Sequence, residues 1–237
     1  MDRQYLQLLA HQKKHISHSR WEKLNNINRS GLLEQTDFKY FFAVASQAHF
    51  RRLEHPGYFK LLVNFKENYP NGFFNPIEKD VPRTLSPGHP FLEPLKQILT
   101  AYAIRNPSLV YCQGMNYLVA YFLINEVSPE QTFWILACLV ENWLPDDYFK
   151  DLTTISIVTC IVEDVLSEAV PEFQEILVEA GMDASVILVP WLVCLFSKGF
   201  TTSVSAYLIS YFMLQAQRER AGFVLLKICV GIFNVVL

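Results

Sequence analysis

Prolines and capping residues cut this chain into segments whose apolar residues recur every three or four positions, and that spacing leaves room for little but helices. Ser128-Pro129-Glu130-Gln131 supplies an N-cap, a proline at the first helical position and a capping-box glutamine ahead of Phe133, Trp134, Ala137 and Val140. Pro171 opens a run with Phe173, Ile176, Leu177 and Ala180 at helical spacing, and Gly181 follows as a C-terminal cap. Pro90 opens another through Leu92, Leu95, Ile98, Leu99 and Tyr102, which Asn106-Pro107 ends. Ser19 with Glu22 reads as a capping box before Leu24. Residues 153–162 are rich in β-branched side chains, yet Ile155, Val158, Ile161, Val162, Val165 and Leu166 trace a helical stripe through and beyond them. Asn71-Gly72 is flanked by a helix end and a loop, not by alternating strands. The expected fold class is all-α.

Composition then removes several functions. The 237 residues are ample for one large core, and a charged fraction of 18% is too low for a disordered tail. A mean hydropathy of +0.17 raises the question of membrane spans. The apolar stretch 186–196 contains Pro190 and stops at Ser197-Lys198-Gly199 after 11 residues, where a span needs about 20. The stretch 223–237 is interrupted by Lys227. Core helices, not an integral membrane protein, are expected. A net charge of −3 argues against nucleic acid as a partner. Five cysteines without a CxxC pair fit neither a disulfide framework nor a zinc site and point to a reducing, cytoplasmic compartment. His11, His15 and His18 could share a helical face but lack accompanying ligands, so an exposed polar stripe is expected and no metal. Charge is uneven: residues 1–60 carry 10 basic and 5 acidic side chains, whereas residues 121–180 carry 1 and 12. A solvated acidic surface accounts for that, with differently charged partners as the functional alternative.

Phosphate-cradling glycine loops, GxSxG and HExxH are all missing from the sequence. Two polar segments stand out instead. In Ile77-Glu78-Lys79-Asp80-Val81-Pro82-Arg83-Thr84, Asn75-Pro76 starts a short helix and Pro82 is expected to stop it, leaving Arg83 just past its end. Asp80, three residues back, can hold the direction of a guanidinium. In Tyr111-Cys112-Gln113-Gly114-Met115-Asn116, a glutamine and a glycine open an apolar helix over 118–124, whose N-terminus offers free N–H groups and Gly114 backbone clearance. A helix over about 91–105 spans ~22 Å, and an extended 84–90 segment can cover ~23 Å back. The two segments can therefore meet. An arginine and a glutamine presented together without a nucleotide pocket suggest a protein that completes another protein's phosphoryl-transfer site.

These residues resemble a known family. Ile77-x-x-Asp80-x-x-Arg83-Thr84 is similar to the I-x-x-D-x-x-R-T motif of the TBC-domain Rab GTPase-activating proteins, and Tyr111-x-Gln113-Gly114-Met115-Asn116 to their Y-x-Q-G-M-N motif. The run Leu99-Thr100-Ala101-Tyr102-Ala103-x-x-Asn106-Pro107 between them also follows the family in order and spacing. The resemblance covers about residues 31–237 and implies a V-shaped helical domain behind an N-terminal helical extension over 1–30. Its N-terminal lobe, about 31–145, would hold both loops, and a C-terminal lobe would fill 146–237.

The resemblance further implies two catalytic residues: Arg83 as an arginine finger and Gln113 as a glutamine that orients the attacking water. Asp80, Thr84, Tyr111, Gly114 and Asn116 would support them. The partner would be a GTP-bound Rab-type GTPase, so GTP and Mg²⁺ would belong to that partner and this chain would need no cofactor of its own. It would act in vesicle trafficking, recruited to endomembrane surfaces through the partner. The sequence departs from the family at Leu33, where a proline is usual, at Asp37 and Phe41, where an R-x-x-x-W pair falls, and at Leu208-Ile209-Ser210, where I-W-D is common. The apolar ending, residues 228–237, implies that the family's final helices are missing and that the last helix is uncovered. A TBC-like scaffold that binds a GTPase without activating it is the alternative.

Overall fold

The computed structural model describes residues 18–29, 37–70 and 72–236, and among them every regular element is helical. Gly31, Leu33, His11 and His15 lie outside these residues. The first helices are α1 (His18–Arg29), α2 (Phe38–Ala45), α3 (Ala48–Glu54) and α4 (Tyr58–Asn64), the last followed by a 3-10 turn at Phe65–Asn68. Then come α5 (Asn75–Thr84), α6 (Leu92–Arg105), α7 (Met115–Ile124) and α8 (Pro129–Cys138), which runs into a π-helical turn at Leu139–Trp143. The remainder is α9 (Thr153–Ala169), α10 (Pro171–Ala180), α11 (Ser185–Val193), α12 (Thr202–Gln215) and α13 (Ala221–Val236). None of the described helices is long and apolar enough to cross a membrane.

The start signals read from the sequence act much as expected. Ser128 Oγ accepts the Gln131 N–H at the head of α8, Pro171 sits in the first turn of α10, and Gly181 ends α10 at φ +59°. Helix α1 begins one residue before Ser19, which therefore lies inside it rather than capping it. Residues 153–162 are helical, and Ile155, Val158, Val162 and Leu166 face the core. The stripe is narrower than expected, because Ile161 and Val165 face outward, as does Ile176 of α10.

Helices α6, α7 and α8 form the centre. Leu95, Ile98, Leu99, Tyr102, Met115, Leu118, Phe122, Phe133 and Trp134 are essentially sealed from solvent, each such burial stabilising by about 1.5–3 kcal/mol. Phe42 of α2 packs edge-on against Phe122, with ring centroids 5.1 Å apart. Asp37, where the sequence also departs from the family pattern, lies at the start of α2. Three further departures fall in the interior: Phe41, Ile209 and Ser210 are buried. They are core side chains in core positions and bear on packing.

The charge imbalance between distant segments is partly consumed by folding. Lys39 pairs with Glu126 at 2.9 Å, Arg52 with Glu130 at 3.8 Å, and Arg105 forms a two-pronged pair with Glu141 at 2.7 and 2.8 Å. The basic helices α2 and α3 thus lie against the acidic beginning of the 121–180 region. The terminal helix is also less bare than expected: α13 buries Val224, Leu225, Ile228, Cys229 and Phe233, packing on α9 and α12. Phe223 and Val235 remain exposed.

Candidate functional site

The two polar segments meet at one end of α5 and α7. Residues 77, 80–81 and 84 recur at helical spacing, so the inner face of α5 carries Ile77, Asp80 and Val81 into the interior while Arg83 projects to solvent. Pro82 does not stop this helix, contrary to the sequence reading. It lies within the last turn, where its missing N–H forfeits one bond, to the Glu78 carbonyl, and Thr84 Oγ still donates to the Asp80 carbonyl at 2.7 Å. Arg83 therefore sits on the final helical turn instead of past it. The 84–90 segment is likewise not extended. It folds through successive turns closed by His89 N–H to Ser86 O and Leu92 N–H to His89 O, both 3.0 Å. Packing of α5 on α6 and α7 brings the segments together, not an outstretched connection.

Asp80 is the charged centre. Only 4% of it is exposed, which would be costly for a carboxylate lacking partners. One oxygen is paired with the Arg83 guanidinium, and the other accepts the Tyr111 hydroxyl at 2.6 Å. Burial, and then the bond to Asp80, push the Tyr111 phenol far above its ordinary pKa, so it remains a donor. A second line of bonds runs beside this one. Asn116, fully buried, donates from Nδ2 to Thr84 Oγ1 at 2.7 Å and accepts the Gly114 N–H on Oδ1 at 2.9 Å. Asp80–Tyr111 and Thr84–Asn116 are two independent ties between the loops.

Gly114 has no clearance, which corrects the sequence reading. It adopts φ +113°, and a Cβ there would lie 2.3 Å from Val193 Cγ1 and 2.6 Å from the Val193 carbonyl oxygen. The end of α11 is pressed against the loop. Helix α7 starts at Met115, and the Gly114 N–H is spent on Asn116 while that of Met115 bonds the Cys112 carbonyl, so these two donors are not offered outward. Gln113 is exposed, and among the described residues no hydrogen bond holds its amide. The Cys112 thiol is raised in pKa by burial and by the Asp80 charge, making it a poor nucleophile.

Sequence reasoning did not find Val110 or Val193. Val110 adopts φ +60°, a strained backbone for a β-branched residue, held by its N–H to the Asn106 carbonyl at 2.9 Å. Nothing in its residue type announces this. The 99–107 run that matched the family is buried helix plus this Asn106 turn, with Asn106 Nδ2 also reaching Tyr102 OH at 3.2 Å.

An all-helical domain that locks an arginine-bearing helix end to a glutamine-bearing loop is the arrangement on which comparison with known proteins bears. The family model for the Rab-GTPase-TBC domain matches residues 32–236, and the chain belongs to that family. It is 28% identical over 193 residues to a TBC domain-containing protein of Schizosaccharomyces pombe, covering 78% of this chain and 25% of the relative. It is also 28% identical over 193 residues to mouse TBC1 domain family member 2B, covering 77% and 20%. The crystal structure of the Chlamydomonas flagellar RabGAP TBC domain superposes with a TM-score of 0.71 at 19% identity, over 94% of this chain and 72% of that one, a likeness of fold. The chain spans about a quarter or less of the length of these two curated relatives.

Proposed function

We propose that this domain is a GTPase-activating module for a Rab-type small GTPase and that it supplies Arg83 and Gln113 in trans. The observation that carries the reading is the double tie between the loops. Asp80–Tyr111 and Thr84–Asn116, pairs 31 and 32 residues apart in sequence, make one unit of the two segments, and the unit presents two exposed polar side chains.

Phosphoryl transfer asks a protein mainly for positioning and charge stabilisation. Arg83, with its guanidinium directed by Asp80, would face the charge that spreads onto the transferring phosphoryl group. Gln113, donor and acceptor at once, would orient the attacking water in place of the GTPase's own glutamine. GTP and Mg²⁺ would be brought by the partner. Lobes of about 31–145 and 146–237 would flank the docking face, and the domain would work in vesicle trafficking from the cytoplasmic side of endomembranes, recruited by its partner.

Single-turnover GTP hydrolysis by a panel of Rab-type GTPases, with wild-type protein and Arg83→Ala side by side, tests this. An arginine finger contributes ~10³–10⁵ in rate, so the variant is expected to lose at least ~10² of the acceleration. Nucleotide-dependent binding without acceleration by the wild type would replace the reading with that of a scaffold.

A further inference from the structure

The segment after α11 carries more strain than any other beside the site. Leu195 and Phe196, both fully buried, adopt φ +46° and +61°, a left-handed pair that ordinary side chains avoid. The surroundings hold it there. Ser205 Oγ donates to the Phe196 carbonyl at 2.7 Å, Ser197 Oγ to the Cys194 carbonyl at 2.6 Å, and Tyr148 OH to the Leu192 carbonyl at 2.6 Å. The same segment begins at Val193, which is pressed against Gly114. Its product is the placement of one side chain: the Lys198 ammonium stands 4.0 Å from the centroid of the Tyr117 ring.

Tyr117 lies one turn of α7 beyond the Gln113 loop, ~5–6 Å along the helix. Lys198 and Tyr117 share a cavity of about 230 Å³ with Thr84, Leu85, Ile124 and Phe200. Thr84 belongs to the tie that holds the fingers, so this cavity is continuous with the site. Lys198 is exposed, and among the described residues no carboxylate lies within ion-pair distance of it. Lys60, Lys66, Lys79 and Lys150 likewise have no ion pair among the described residues, but Lys198 stands nearer an aromatic ring than Lys39, Lys66 or Lys227, at 5.7, 5.8 and 5.0 Å. A cation seated on an aromatic face, beside a recess with Leu85, Ile124 and Phe200 on one part of its wall and Asn125, Thr202 and Ser205 on another, is complementary to a carboxylate with aliphatic neighbours.

We propose that Lys198 is a partner-contact residue that receives an acidic side chain of the docked GTPase, whose neighbouring apolar residues enter the Leu85–Ile124–Phe200 recess. This rests on the reading of the finger loops as a GTPase-docking face. The set-back from Gln113 places Lys198 at the rim, so its effect falls on association and not on the chemical step. Rim charges act in that way, through on-rate and with strong dependence on salt.

The test is single-turnover hydrolysis at increasing concentrations of the domain, giving a half-saturating concentration and a maximal rate for wild type, Lys198→Arg, Lys198→Ala and Lys198→Glu. Thermal midpoints of all four are expected to agree, because the side chain is exposed. Half-saturation is expected to rise about threefold for alanine and about tenfold for glutamate, the scale of an exposed ion pair and its reversal, with arginine within twofold of wild type. Maximal rates should stay within twofold, and the glutamate penalty should shrink as salt rises. A fall in maximal rate at unchanged half-saturation would overturn the proposal in favour of a contact to nucleotide phosphate. Unchanged values of both would overturn it outright. Direct binding to a GTPase loaded with a non-hydrolysable GTP analogue separates the two readings. A wild type that binds without accelerating, with Lys198→Glu binding about tenfold more weakly, would remove the activating function and keep the contact. A wild type that binds no GTPase of the panel would remove both.

Discussion

Arg83 and Gln113 belong to the two segments that Asp80–Tyr111 and Thr84–Asn116 tie together, yet the structure holds them by different physics. Arg83 is aimed by its own side chain: a buried carboxylate three residues back grips the guanidinium, and Tyr111 completes that carboxylate's bonding. Gln113 has no such grip. It is placed by backbone, through a glycine at φ +113° wedged against Val193 and an N–H tied to Asn116. The arginine side can thus be mistuned by chemistry alone, with the fold untouched. The glutamine side is mistuned only by disturbing the packing of α7 on α11. One half of the site is electrostatic and the other steric.

Gly114→Ala should produce the largest effect. The new Cβ meets a carbonyl oxygen, not a yielding side-chain tip, in a backbone conformation that L-residues avoid. Chemical denaturation should show a loss of about 3 kcal/mol, with activation of the partner falling in parallel. A stable and active Gly114→Ala protein would break the steric half of the comparison. Asp80→Asn comes next. The amide keeps the shape and can still accept from Tyr111, but it no longer fixes the guanidinium by charge. Hydrolysis should slow by about tenfold or more, while stability changes by less than about 1 kcal/mol, because a buried charge is removed together with its pairing. Equal losses of rate and stability would show that Asp80 is structural. Alkaline pH acts through buried thiols of the core, and only gradually. Burial raises the thiols of Cys138, Cys194 and Cys229 from about 9 to about 12, about 11 and about 12. The folded protein therefore holds them neutral while the unfolded chain ionises. Their stabilisation is complete below pH 9 and is lost as pH rises from there towards 12, about 1 kcal/mol for each thiol by pH 10. Thermal midpoints between pH 7 and 10 should fall accordingly and stay flat between pH 7 and 8.5.

The helices were legible because their causes are local. Ser128-Pro129, Pro171 and Gly181 act within one turn, and the stripe through Ile155, Val158, Val162 and Leu166 overrode β-propensity as its period requires. The charged half of the site was legible for the same reason, since Asp80 and Arg83 are neighbours on one helix. Pro82 was misread because a proline near a helix end forfeits a single bond, which the side-chain bonds of Thr84 and Asp80 offset. The steric half was illegible in principle. Gly114 suggested open space, whereas its role depends on Val193, 79 residues away. The strained backbones of Val110, Leu195 and Phe196 carry no residue-type signature at all.

The most direct test of the central claim uses a GTPase found to respond, with its own catalytic glutamine replaced by alanine. Single-turnover hydrolysis of this partner is then followed with the wild-type domain and with Gln113→Ala. If Gln113 takes over the positioning of water, the wild-type domain still accelerates the crippled partner, and Gln113→Ala fails by at least ~10² on crippled and intact partners alike. Loss of acceleration with the crippled partner, together with full activity of Gln113→Ala on the intact one, would return the water to the GTPase and contradict the account.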